Sequence, residues 1–187
     1  MRELRLVEFV SVDGVMQGLA APEEGFPQGG WGLEYPVAPP EGAFAATTAY
    51  LFGRRTYEEM AAHWPHEPAD NPMAAHLNAA QKYLVSRTTP TPLWEPTTVI
   101  ADDVAGSVRW LKSEGEGTIT VLGSGQLARF LLANDLVDGL TLFVHPLLLG
   151  TGTSLFGALP SPRRLELVSS SASELGSLIL DYRLRRD

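Results

Sequence analysis

The strongest constraint on this chain is an alternation of two periodicities. Short apolar, β-branched runs end on glycine or a turn signal, and each is followed by a segment with helical spacing. Leu4 to Val12 is valine-rich and predicts a buried first strand. Ala49-Tyr50-Leu51-Phe52 predicts a second that stops at Gly53, and Lys82 to Ser86, Thr98 to Ala101, Thr118 to Leu122 and Leu140 to Val144 predict four more. Helical spacing falls between them: a short segment over Glu41 to Thr48, then Arg54 to His63, Pro72 to Ala80, a run ending at Glu114 that Asp102 or Asp103 would N-cap, and Gln126 to Asn134. The end differs. Arg164 to Val168 and Leu178 to Leu184 read as strands joined by a serine-rich connection, with no helix between them. Such an order predicts an α/β fold: a mostly parallel central sheet, helices on both faces, and an antiparallel C-terminal edge. There is no internal repeat and no domain boundary, so residues 1–187 read as one domain, long enough to bury a sizeable core.

Two strand-to-helix junctions carry the chemistry. Leu51-Phe52-Gly53-Arg54-Arg55-Thr56 is one, and Val121-Leu122-Gly123-Ser124-Gly125-Gln126 is the other. A helix N-terminus offers unpaired N–H groups and a positive dipole end, and glycine lets a phosphate approach the backbone. Arg54 and Arg55 would add forked donors. As a purely structural helix start, two cations would oppose the dipole by a few tenths of a kcal/mol, roughly, a penalty that a bound anion reverses. Gly-x-Gly after a strand is also a common tight turn, so each junction alone admits both readings.

Charge narrows the partners. Lysine and arginine total 14 against 22 acidic residues, a net charge of −8. Phosphate backbones and anionic lipid are not generally attracted to such a surface, which argues against nucleic acid and membrane partners. With no cysteine, disulfides, thiolate nucleophiles and cysteine–zinc sites are excluded. The N-terminal stretch, with charges inside its apolar run, reads as a strand and not a signal peptide, and no run reaches the ~18 apolar residues of a membrane helix. A cytoplasmic, soluble protein is expected.

From Asp13-Gly14 to Pro40 the chain is irregular and rich in glycine and proline. A loop of this length in a compact domain is either a functional lid or a surface insertion.

Gly53-Arg54-Arg55-Thr56-Tyr57-Glu58 resembles the Gly-Arg-x-Thr-aromatic-Glu motif of dihydrofolate reductases, and Gly123-Ser124-Gly125-Gln126-Leu127 resembles their second glycine-rich turn. Ser11-Val12-Asp13-Gly14, Leu136-Val137-Asp138 and the segment His145 to Gly152 with Leu155-Phe156 look like the reductase domain of the riboflavin-biosynthesis deaminase-reductase. The resemblance spans nearly the whole chain in one order. It implies a dihydrofolate-reductase-like three-layer fold that binds NADPH and stands alone, without the deaminase. By position it implies that Gly53, Arg54, Arg55 and Thr56 hold the phosphate region. Ser86 and Arg87 would face the adenosine 2′-phosphate, and Gly123, Ser124, Gly125, Gln126 and Leu127 would wrap the pyrophosphate. Val12, Asp13, Met16 and Gln17 would lie near the nicotinamide. Dihydrofolate reductases place a pterin-binding acid shortly before the Gly-Arg motif; here that stretch is Tyr35 to Glu41, where no acid aligns cleanly, and folate reduction is not implied.

The implied reaction is hydride transfer from NADPH to a small heterocyclic or carbonyl substrate, like the reduction of 5-amino-6-(5-phosphoribosylamino)uracil; a non-catalytic nucleotide or small-ligand binder on the same fold is the alternative. Asp13 fits two roles, orienting substrate or relaying a proton at a strand end, and capping an Asp-Gly turn. Glu34 and Glu41 are lesser candidates. Trp31, Tyr35 and Trp64 could stack on a flat substrate or simply pack. His63 and His66 have ligand-like spacing, but Pro65 between them spoils a shared helical face, and no metal is expected. By analogy, Leu178, Leu180 and Tyr182 at the antiparallel end mark the face of a homodimer.

Overall fold

The computed structural model describes residues 1–20, 26–37, 44–88, 91–157 and 159–185. Eight strands are found there: β1 (Glu3–Ser11), β2 (Thr47–Gly53), β3 (Gln81–Val85), β4 (Thr97–Ile100), β5 (Thr118–Leu122), β6 (Gly139–His145), β7 (Leu165–Ala172) and β8 (Leu178–Leu184). They form one sheet in the order β4-β3-β2-β5-β1-β6-β8-β7. The pairs from β4 across to β6 are all parallel, while β8 runs antiparallel to both β6 and β7. The predicted parallel sheet with an antiparallel C-terminal edge is the observed one.

Alternation along each strand sends successive side chains to opposite faces. Leu4, Leu6, Ala49, Leu51, Ile119 and Val121 pack on one face against α3 (Val104–Ser113) and α4 (Gly125–Ala133), through Val108, Leu111, Leu127, Ala128 and Leu131. Tyr50, Phe52 and Leu84 point the other way, onto Tyr57 and Ala61 of α1 (Arg54–His63) and Leu77 of α2 (Pro72–Ala79). Helices therefore cover both faces.

Two segments differ from expectation. The short helix over Glu41 to Thr48 is not formed in its described part: residues 41–43 lie outside the described residues, 44–46 are a turn, and β2 already begins at Thr47. The cause is a pairing between strands, in which Thr47 Oγ1 lies 2.9 Å from Thr120 Oγ1 and Thr118 N donates to Ala46 O. The serine-rich connection is mostly strand, because β7 runs on through Ser169, Ser170 and Ser171, each paired with β8. All of β7 is solvent-exposed, and serine suits a wet edge strand.

Parallel pairing puts the C-terminal ends of β1, β2, β3, β5 and β6 along one rim of the sheet. That rim is where ligands bind in open α/β sheets.

Candidate active site

The two glycine-bearing junctions meet on this rim. β2 and β5 are neighbours, so the corner from β2 into α1 and the corner from β5 into α4 lie side by side. Side chains lock them together: Gly53 N donates to Ser124 Oγ at 3.0 Å, and Thr56 Oγ1 donates to Gly123 O at 3.1 Å. Gly123 has φ of 67°, a left-handed conformation that favours glycine. A Cβ on Gly125 would collide with the sulfur of Met16, which rests against the first turn of α4.

The caps separate these corners from the other helices. Asn71 caps α2 by accepting from the N–H groups of Met73 and Ala74, and Asp103 caps α3 by accepting from Gly106 N at 3.0 Å. Neither α1 nor α4 has a side-chain cap. Gly53 has no side chain to offer, and Ser124 spends its hydroxyl on Gly53. Neither helix start is thereby met by its own N-cap side chain, an arrangement that suits an anion. A phosphate-bearing cofactor fits this donor set.

The surrounding residues refine the expectations. Arg54 and Arg55 are exposed and each reaches a glutamate one turn on, Glu58 at 3.2 Å and Glu59 at 3.1 Å. The penalty of two cations at a helix start is thus already offset within α1. Ser86, directly after β3, is buried with its Oγ accepting from Thr88 N, and Arg87 beside it is exposed. Gln126 is exposed, whereas Leu127 is buried in the core, so Leu127 can serve a ligand only through its backbone N–H.

The other half of the rim is built from the loops after β1 and β6. Val12 N donates to Leu147 O, Met16 N to Thr153 O, and Leu155 N to Gly14 O. Gln17 Oε1 accepts from both the N–H and the hydroxyl of Thr153. Asp13 is the central tie. Its carboxylate accepts from Ser11 Oγ at 2.6 Å, Leu149 N at 3.2 Å and Gly150 N at 2.7 Å. These hydrogen bonds, led by Ser11, lower its pKa to about 2. A carboxylate so stabilised stays ionised and is a poor proton donor, and its contacts are those of the turn anchor.

Of the two readings of Trp31, the structure shows the packing one: it is only 4% exposed, packs with Val15 and Phe26, and donates its indole N–H to Gln17 O, supporting the loop. Tyr35 is half-buried with its ring 5.7 Å from that of His145. Trp64 packs beside α1, donating to the sulfur of Met60. Glu34 is exposed on a one-turn 3₁₀ helix, Trp31–Glu34, and Glu41 lies outside the described residues. His63 faces Glu67 at 3.4 Å, an ordinary pairing one turn apart.

Two buried polar residues were not singled out by sequence reasoning as site groups. Glu8 is fully buried in β1 on the α4 side, and burial raises its pKa to about 8 despite the Ser124 backbone N–H and the Arg129 charge nearby. Its signal was legible: Leu4, Leu6, Glu8 and Val10 share one face, and a carboxylate in an apolar phase is an exception. His145 ends β6 with Nδ1 2.9 Å from Ser177 Oγ, among the rings of Phe9, Trp31 and Tyr35. Burial lowers its pKa. No sequence pattern marks it, because its surroundings come from three distant segments.

Residues 2–179 match the RibD C-terminal domain family. No curated protein matches the chain. Among solved structures, a protein from Shewanella sp. PV-4 named for riboflavin biosynthesis is 18% identical with a TM-score of 0.75, over 98% of this chain and 99% of that one. The deaminase/5-amino-6-(5-phosphoribosylamino)uracil reductase of Thermotoga maritima is 13% identical with a TM-score of 0.65, over 98% of this chain and 57% of that one. Dihydrofolate reductase from Enterococcus faecalis, complexed with NADP(H), is 15% identical with a TM-score of 0.61, over 98% of this chain and 97% of that one. These likenesses establish the fold. The chain belongs to the RibD C-terminal domain family, a family of reductase domains built on the dihydrofolate-reductase-like fold.

Proposed function

We propose that this chain is an NADPH-dependent reductase that delivers hydride to a small heterocyclic or carbonyl acceptor at the C-terminal rim of its sheet. The single observation that carries the reading is the pair of uncapped helix starts, α1 and α4, locked side by side on adjacent parallel strands. Their first-turn N–H groups, with Arg54 and Arg55, receive the phosphates of a dinucleotide. Arg87 at the end of β3 supplies the charge that distinguishes a 2′-phosphate.

When bound, NADPH supplies the hydride; the chain supplies position and shelter. Met16, resting on α4, and Val12 at the end of β1 border the nicotinamide side. Asp13 and Gln17 hold the two loops together so that this border keeps its shape. Tyr35 borders the acceptor side. Asp13, held ionised, anchors the loops and does not itself donate the proton that accompanies hydride transfer.

The chain works as a homodimer through its antiparallel edge. The exposed apolar residues there are Leu165, Leu167, Val168 and Leu178, whereas Leu180 and Tyr182 pack against the core. Sedimentation at monomer mass removes this part of the reading.

The decisive experiment titrates intrinsic tryptophan emission with NADPH and NADH in parallel and follows NADPH oxidation with pteridine, aminopyrimidine and quinone acceptors. Saturable binding that prefers NADPH, with turnover of at least one acceptor, is expected. Absence of saturable coenzyme binding overturns the proposal, and tight binding without any turnover supports the non-catalytic alternative.

A further inference from the structure

Charge is divided between the two halves of the rim. The chain has 14 lysines and arginines, yet none lies between Leu6 and Gly53 or between Phe130 and Pro162. The first stretch contains the loop after β1, and the second contains the loop after β6. Among the described residues, the acceptor half therefore presents the carboxylates of Asp13 and Glu34 with no lysine or arginine from either loop. It also presents Val12, Leu33 and Leu148, which are 60%, 70% and 75% exposed. His145 contributes no cation there, because burial favours its neutral form. The cation that reaches this half from outside the loops is Arg129 of α4, whose guanidinium donates to Ser154 O and Leu155 O; Arg5, six residues before Ser11 and so roughly 20 Å away along β1, is paired with Asp181 and Glu3.

Several backbone donors on this half are committed as well. Glycine at φ of 70° in position 150 helps turn successive N–H groups inward, the arrangement of an anion nest. That nest is filled from within: Leu149 N and Gly150 N both donate to Asp13. Val12 N donates to Leu147 O, Leu147 N to His145 O, and Thr153 N to Gln17. A phosphate arriving here would meet a carboxylate in the position it would need and apolar side chains around it. Taking it out of water without donors is unfavourable.

We propose that the acceptor of this chain is an unphosphorylated, uncharged heterocyclic or carbonyl compound, and that the loops after β1 and β6 exclude phosphorylated acceptors. The proposal rests on the reductase reading and adds the substrate class to it. The cofactor corners attract phosphate and the acceptor loops repel it, so the two ends of the cleft cannot exchange ligands.

The test is equilibrium binding of matched pairs that differ only by a phosphate, riboflavin with riboflavin 5′-phosphate and pyridoxal with pyridoxal 5′-phosphate. Each is measured with NADP⁺ saturating the coenzyme corners. The neutral member of each pair is expected to bind at least tenfold more tightly, and the gap is expected to shrink between 50 and 500 mM salt as repulsion is screened. Leu148→Arg is expected to narrow or invert the gap by strengthening the phosphorylated member. A phosphorylated member that binds wild type as tightly as its neutral partner overturns the proposal, as does a panel in which neither neutral member saturates. The preceding titration with NADP⁺ alone reports on the coenzyme corners, so their failure is read separately from failure of the acceptor assignment.

Discussion

The corner half and the loop half of the rim are held together by contacts of different kinds. Each corner is a contiguous run in which a strand, one or two glycines and a helix follow directly, and two side-chain hydrogen bonds tie corner to corner. The loop half depends on side chains that cap backbone far along the chain, such as Asp13 on Leu149 and Gly150, separated by 136 and 137 positions. Their electrostatics differ in the same way. The corners expose uncapped helix starts and arginines, while the loops expose carboxylates and leucines and fill their own anion nest. Binding a constant group such as a dinucleotide requires only local geometry, whereas acceptor choice resides in long-range ties that can change without disturbing the fold.

The corner half can be tested most severely through Glu8, which lies beneath Ser124. Its folded-state pKa is raised to about 8, chiefly by burial, so the protonated form is favoured in the native state. The associated stability is fully present below the unfolded carboxyl pKa and is lost as pH rises through the folded value. Wild type should therefore weaken progressively from about pH 5 to pH 8, by at most about 5 kcal/mol. Glu8→Gln should flatten that profile and be the more stable protein at pH 8.5, as read by urea unfolding across pH. Parallel profiles for the two proteins would remove Glu8 as the source.

Next in size is Gly123→Val. A β-branched residue at φ of 67° costs about 1–3 kcal/mol locally, and its side chain would stand where the coenzyme approaches. We expect the fold to survive with a lowered melting temperature and coenzyme binding to fall a hundredfold or more. Normal NADPH titration by this variant would disconnect the β5–α4 corner from the cofactor. Arg54→Ala and Arg55→Ala follow, with at least one weakening NADPH by about 1–3 kcal/mol through loss of a charge-assisted contact. Unchanged affinity in both would remove these arginines from the coenzyme site.

The same comparison explains what could be read in advance. The sequence predicts helix α1 over Arg54 to His63, the residues it occupies, because glycine, helical spacing and the Trp64-Pro65 break are all local signals. The corner pair was legible for the same reason. For Trp31 the sequence leaves stacking and packing open, because its burial depends on Val15, Phe26 and Gln17, which no local pattern connects to it. Asp13 was legible as a turn residue but not as the acceptor for a loop 136 positions away. The extension of β7 through three serines was hidden because serine carries little strand preference, and pairing with β8 decides the matter.

The smallest effect probes the loop half and completes the contrast. Asp13→Asn keeps the shape of the side chain but replaces one carboxylate oxygen by an amide N–H, which cannot accept from Gly150 or Leu149. Global stability should change little, because the group is exposed and the tie is local. Hydrogen exchange at Leu149 and Gly150 should accelerate clearly, while amides of α1 and α4 keep their protection. The sign of the pH dependence follows from a depressed pKa: the wild-type tie is complete above the unfolded carboxyl pKa near 4 and is lost as pH falls toward 2. Faster exchange in wild type below pH 4 with none in the Asn variant is the expected pattern, after correction for intrinsic rates. Coenzyme affinity should stay within about twofold, since no phosphate donor is touched. A large loss of NADPH affinity in Asp13→Asn would mean that the two halves of the rim are coupled, and the division between a constant cofactor side and a variable acceptor side would fail.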